Sequence, residues 1–112
     1  MSLHLTNKLK AIRDQLLTVS QNVYHYEKPE RTELSEYIIW QEDGEGDSNE
    51  LDNAKREQVI QFTVDLFTKA EYSPLIDGIQ NTLADSTISF TLVSVTFETE
   101  TKYIHYQWQA EM

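Results

Sequence analysis

The stretch Gln58-Val59-Ile60-Gln61-Phe62-Thr63-Val64-Asp65-Leu66-Phe67 decides the fold class. Ile60, Phe62, Val64 and Leu66 share one parity, and Val59, Gln61, Thr63 and Asp65 share the other. A period of two puts alternate side chains on opposite faces, so this is a strand with one buried face. The pattern runs from about Arg56 to Lys69, long for a strand. It is expected to project beyond its sheet or to bend.

Working upstream, a second β-prone region covers about Leu34 to Gln41. Its centre, Tyr37-Ile38-Ile39-Trp40, is aromatic or β-branched on both parities, as in a central strand or one covered by a partner on its second face. Between the two strands lies Glu42-Asp43-Gly44-Glu45-Gly46-Asp47-Ser48-Asn49-Glu50, which reads as a loop and has no hydrophobic residue before Leu51. Earlier still, Leu5, Leu9, Ile12, Leu16 and Leu17 recur at helical steps, with Thr6 or Asn7 as the expected cap. Val23 to Tyr26 is a short β-prone stretch that Pro29 stops.

Downstream, Ser73-Pro74 opens a second helix, because Ser caps well and Pro is tolerated at the first helical position. Leu75, Ile76, Ile79 and Leu83 form its apolar face, Asp77 suits its positive end, and Asp85-Ser86 ends it. In the next strand Ile88, Phe90 and Leu92 alternate, then Val93, Val95 and Phe97 continue on the other parity. That phase shift predicts a bulge at Leu92-Val93, or a strand buried on both faces. Glu98 to Lys102 makes a hairpin turn, and Ile104, Tyr106, Trp108 and Ala110 then face the core. The order α-β-β-β-α-β-β predicts one α+β domain over residues 1–112. In it two helices pack on one face of a mostly antiparallel sheet of four to five strands, with an acidic flexible loop at about 42–53.

Composition narrows the function. The 112 residues carry 19 acidic and 9 basic side chains, a formal charge of −10, and no Cys. The absence of Cys excludes disulfides, thiol nucleophiles and Cys–zinc sites. The charge argues against a surface that grips nucleic acid or an anionic membrane. It is also uneven. Lys8, Lys10 and Arg13 against Asp14 make the first 26 residues +2, whereas Glu27 to Asp52 sets ten acids against Lys28 and Arg31, a sum of −8. Met1 to Lys10 lacks the apolar run of a secretory signal, and no stretch has the length of a membrane span, so a cytoplasmic setting is expected.

Candidate chemistry is sparse. Asp43, Glu45, Asp47 and Asn49 alternate like calcium ligands, but an EF-hand loop starting at Asp43 needs Gly and Glu where Ser48 and Ala54 stand. His4, His25 and His105 form no close pair, and His25 and His105 could meet only across a sheet. The sequence has no G-x-S-x-G elbow, and Gly44-Glu45-Gly46 is flanked by carboxylates that repel phosphate. Glu98 and Glu100 resemble a carboxylate dyad but fall in the hairpin turn. No catalytic residue, cofactor or metal is therefore expected. Tyr37, Trp40, Tyr103, Tyr106 and Trp108 suit a core, and Tyr37 and Tyr103, if outward, suit a subunit interface.

The order of elements adds a resemblance. A leading amphipathic helix, then Glu36-Tyr37-Ile38-Ile39-Trp40 running into a long polar loop, then the long alternating strand, the helix opened by Ser73-Pro74 and a closing hairpin ending in Tyr103-Ile104-His105-Tyr106-Gln107-Trp108 together resemble the tail-terminator and tail-completion (tail-to-head joining) proteins of long-tailed bacteriophages and prophages. The resemblance covers nearly the whole chain. It implies a virion structural protein made in the host bacterial cytoplasm. Six subunits would form a ring at the head-proximal end of the tail tube, touching the tube protein and the head connector, with DNA passing through the lumen.

Acid lining such a channel repels phosphate and lets DNA slide. On that reading Asp43, Glu45, Asp47, Glu50 and Asp52 face the lumen or the connector, and Tyr37, Ile39 and Tyr103 lie between subunits. An acidic inhibitor that mimics DNA and a small-ligand-binding α+β domain are the alternatives. The first needs carboxylates along a rigid surface, the second a deep pocket with a few polar groups.

Overall fold

The computed structural model describes residues 3–30, 33–46 and 58–112. Two helices, α1 (Leu5–Leu17) and α2 (Pro74–Ser86), accompany five strands: β1 (Val23–His25), β2 (Glu36–Glu45), β3 (Ile60–Thr68), β4 (Ser89–Phe97) and β5 (Ile104–Glu111). The strands form one mixed sheet in the order β1-β2-β3-β5-β4. Only β1–β2 is parallel, and the other three pairings are antiparallel. The α+β class and the order of elements agree with the sequence reading.

The alternation in β3 sets the core. Ile60, Phe62, Val64 and Leu66 are buried on the helix side of the sheet, joined by Ile38 and Trp40 of β2 and Trp108 and Ala110 of β5. Ile12 and Leu16 of α1 and Ile79 and Leu83 of α2 close over them. The stripe on α1 is narrower than its leucines suggest, because Leu5 and Leu17 remain exposed. The helix also starts before the expected Thr6 or Asn7 cap. His4 occupies the cap position without a side-chain bond, and its carbonyl accepts from the Asn7 and Lys8 N–H groups at 3.1 and 3.2 Å. The expected cap of α2 is present: Ser73 Oγ accepts from Leu75 N at 3.1 Å.

The end of β2 differs from the sequence reading, and the bulge expected in β4 is present. β2 continues past Gln41 to Glu45, because Glu42, Gly44 and Glu45 pair with Phe62, Gln61 and Ile60. A register shift between Glu42 and Gly44, with Gly44 at φ 150°, admits the extra residue Asp43. Residues 42–45 are thus strand rather than loop; positions 47–53 of the expected loop lie outside the described residues. In β4 the phase shift is a bulge between Leu92 and Ser94. Phe90 and Leu92 lie opposite Ala110 and Trp108, and beyond the bulge Val95 and Phe97 lie opposite Tyr106 and Ile104. All four apolar residues therefore share the helix side, while Thr91, Ser94 and Thr96 share the other.

Candidate functional site

The expected interface residues meet on the sheet face away from the helices. Tyr37 of β2 lies opposite Phe67 of β3, which lies opposite His105 of β5. Tyr37 stacks on Phe67 at 4.8 Å, Phe67 stacks on His105 at 4.2 Å, and Tyr103 stands edge-on to Tyr37 at 5.5 Å. The Tyr103 hydroxyl donates to the Leu34 carbonyl. Lys28 and Lys69 place their ammonium groups 5.4 and 4.9 Å from the Tyr37 and Tyr103 ring centres. These neighbours leave Tyr37 only 8% exposed, whereas Ile39 is half-buried two positions along the same face. Burial, then the nearby Tyr103 and Glu98, push the Tyr37 phenol above its ordinary value. Burial, then Glu33 and Glu98, do the same for Tyr103.

A cleft of about 690 Å³ opens over Tyr37 and Tyr103, with Lys28, Glu33, Lys69 and Glu100 on its walls. Nearby on the same face, Asp65 Oδ1 lies 2.7 Å from His105 Nε2 and accepts from Gln107 Nε2 at 3.0 Å. His25 and His105 do not converge. His25 is sandwiched between Tyr26 at 3.7 Å and Trp40 at 4.0 Å, and its Nε2 lies 2.7 Å from Glu42 Oε1. Among the described residues no group of three or more His, Asp or Glu could hold a metal ion.

Of the expected acidic residues, Asp43 and Glu45 are exposed near the end of β2. Asp43 Oδ2 accepts from Thr63 Oγ1 at 2.6 Å and Glu45 Oε1 accepts from Gln58 Nε2 at 2.9 Å. Asp47, Glu50 and Asp52 lie outside the described residues.

The surface that the sequence reading missed is β4. It is the last strand in the sheet order, and none of its residues belongs to the buried core. Leu92, Val93, Val95 and Phe97 are 43 to 54% exposed, and Ile88 just before them is 61% exposed. These five are half of the large exposed hydrophobics among the described residues, so the apolar surface is concentrated there. β4 contains no charged residue and no proline; of the usual protections of an edge strand it has the bulge between Leu92 and Ser94. Its alternation was visible in the sequence, but that only its Phe90 packs against the core was not.

No protein-family model matches the chain, and no curated protein matches it significantly. No helix among the described residues is long and apolar enough to cross a membrane.

Proposed function

We propose that this chain is a structural subunit that joins copies of itself side by side in a ring, in the manner of the phage tail-terminator and tail-completion proteins that its order of elements resembles. The observation that carries this reading is the apolar, uncharged β4 at one end of the sheet. In a monomer those side chains meet water; beside a neighbour they are removed from it, at about 25 cal/mol for each Å² buried. The opposite end of the sheet is unlike it, formed by the three-residue β1 with α1 above. Unlike ends associate head to tail, and head-to-tail contacts close into rings when the rotation allows.

The shape of the remaining surface supports the same reading. The cleft over Tyr37 and Tyr103 is open and walled largely by charged side chains, unlike the mostly apolar cavities that hold small molecules. Asp43 and Glu45 at the end of the β2–β3 ribbon supply carboxylates suited to a lumen or connector face, where they repel the phosphate backbone. Tail tube, head connector and passing DNA are the partners of this proposal, and the assembled virion tail is its location. No bond-making or bond-breaking step is part of the role.

Native mass spectrometry across a concentration series, followed by negative-stain microscopy, tests the proposal. The expected result is a discrete closed oligomer, six subunits on the family analogy, that is lost in Val95→Glu/Phe97→Glu. A chain that stays monomeric at the highest soluble concentration, or forms only aggregates of no fixed size, overturns it.

A further inference from the structure

We infer that the cleft over Tyr37 and Tyr103 receives an arginine side chain of a partner protein, with the Tyr37 hydroxyl and the carboxylates of the cleft wall as acceptors for its guanidinium. The site lies on the sheet face away from the helices, opposite to Leu92, Val95 and Phe97, and does not depend on how copies of the chain meet. Tyr37 lines the cleft and is only 8% exposed. Its ring is fixed by stacking on Phe67 at 4.8 Å and by Tyr103 edge-on at 5.5 Å. Its hydroxyl nevertheless makes no hydrogen bond among the described residues, whereas the Tyr103 hydroxyl donates to the Leu34 carbonyl. No side-chain polar atom among the described residues is both sealed from solvent and unbonded, so the Tyr37 oxygen opens into the cleft. A tyrosine this buried ordinarily has a hydrogen-bond partner for its hydroxyl, and a ligand that reaches this oxygen supplies one.

The surroundings of that hydroxyl favour a cation. Among the described lining residues the carboxylates of Glu30, Glu33 and Glu100 outnumber the ammonium groups of Lys28 and Lys69. Both ammonium groups rest on the rings, Lys28 at 5.4 Å from the centre of Tyr37 and Lys69 at 4.9 Å from that of Tyr103, so the two phenols already draw positive charge. Burial is the first cause that raises both phenols, and the negative charge of Glu98, with Glu33 at Tyr103, adds to it. An anionic ligand would meet these carboxylates, whereas a net charge of −10 draws a basic partner toward the chain. Guanidinium suits the site better than ammonium. Its planar fork of five N–H donors serves a phenol oxygen and a carboxylate together and stacks on an aromatic face. Lys69 is exposed and makes no ion pair among the described residues, so its ammonium yields the Tyr103 face readily. The volume of about 690 Å³ has room for a side chain and part of the segment that carries it.

Titration of the isotope-labelled native chain with the end-blocked peptide acetyl-Gly-Arg-Gly-amide, followed by amide and aromatic NMR shifts, tests the site. The expected result is saturable shifts confined to the surroundings of Tyr37, Lys69 and Tyr103, with millimolar affinity. The same peptide with citrulline in place of arginine keeps the shape and loses the charge, and needs no variant of the protein. It is expected to bind about fivefold more weakly or worse, because hydrogen bonds to ionised groups are the stronger ones. Tyr37→Phe keeps the ring packing and removes only the hydroxyl, and is expected to weaken binding of the arginine peptide about fivefold, as for the loss of one hydrogen bond. Glu33→Gln/Glu100→Gln is expected to weaken it about tenfold, whereas Glu71→Gln/Asp85→Asn, which removes the same charge from exposed positions elsewhere, is expected to leave it within about twofold. Shifts that do not saturate, a citrulline peptide that binds equally well, a Tyr37→Phe variant that binds like the native chain, or equal losses in the two carboxylate variants each overturn the proposal.

Discussion

The Glu36 carboxylate accepts a 2.7 Å hydrogen bond from the Thr68 hydroxyl, joining the facing ends of β2 and β3. The same carboxylate oxygen accepts from Ser73 Oγ, whose oxygen in turn accepts from Leu75 N at the start of α2. Thr68 Oγ1 also accepts from Ala70 N at 3.0 Å. One carboxylate therefore ties two strands to the cap of a helix, and both hydroxyls belong to buried residues.

Removing that carboxylate leaves both hydroxyls without their acceptor. Glu36→Ala is expected to destabilise the fold by about 2–4 kcal/mol, since each unsatisfied buried group costs about 1–3 kcal/mol. Glu36→Gln, which keeps an acceptor oxygen, is expected to lose less. Urea unfolding followed by circular dichroism measures both, and an alanine variant as stable as the native chain refutes this role.

Helix α2 approaches the end of α1 at Gly78. A Cβ placed there would come 2.9 Å from Val19 Cγ1. Alanine in a helix interior is ordinarily better than glycine by about 1 kcal/mol. Here the clash with a stiff β-branched side chain outweighs that gain, and Gly78→Ala is expected to destabilise by about 1 kcal/mol. With Val19→Ala as the background the clash is gone, so the same substitution is expected to stabilise. A double-mutant cycle reads this reversal of sign directly.

Acid sensitivity is expected at Glu42. Burial by itself pushes this carboxyl up, but hydrogen bonds that it accepts from Tyr26, His25 and the backbone, together with the charge of His25, outweigh it and hold the group below its usual 4.5. Tyr26 Oη donates to Glu42 Oε2 at 2.6 Å. The unfolded chain then binds the proton more readily than the folded one. The resulting stability is complete above the unfolded value and is lost as pH falls through the lower folded value. Urea midpoints measured from neutrality down to pH 3 are expected to fall more steeply for the native chain than for Glu42→Gln in the window below about pH 4.5. Equal slopes would exclude the contribution.

The phenols of Tyr37 and Tyr103 lead to the opposite end of the pH scale. Both are raised above the ordinary 10.0. A raised folded value means stability that is intact below pH 10 and is lost as pH rises through that value. Tyr26 is raised as well, through its hydrogen bond to Glu42, so in alkaline titration by phenolate absorbance Tyr37→Phe/Tyr103→Phe is expected to shrink the late part of the curve without abolishing it. If the late part keeps its full amplitude in the double variant, the assignment fails.

Position separates two phenylalanines of similar appearance in the sequence. Phe62 is 1% exposed and Phe97 is 54% exposed. Phe62→Ala is expected to cost about 3–5 kcal/mol through lost burial and a residual cavity. Phe97→Thr in the monomer is expected to stay within about 0.5 kcal/mol of the native chain, as for most surface changes. Thermal and urea unfolding at low protein concentration measure the contrast. A large loss at Phe97 would place it in the monomer core rather than on an assembly surface.

Much of this fold could be read from the residues in order. The alternation around Phe62 defined β3 and its buried face, because a pleated strand has a side-chain period of two whatever surrounds it. Ser73-Pro74 marked the start of α2 through local capping chemistry, and the parity change at Leu92-Val93 marked a bulge for the same local reason. The sequence also located the cluster of acid and the basic character of α1. What only the tertiary structure decided is which of these elements lie beside one another. Strand order and helix placement depend on packing between residues distant in the chain, and no local period encodes them. Tertiary packing brought Phe67 between Tyr37 and His105, extended β2 through Glu45 by pairing it with β3, and drew Glu36 to Thr68 and Ser73. It also placed β4 at the end of the sheet, where only its Phe90 packs against the core. Leu92, Val95 and Phe97 read as core residues in one dimension and become half-exposed because two helices cannot shield five strands.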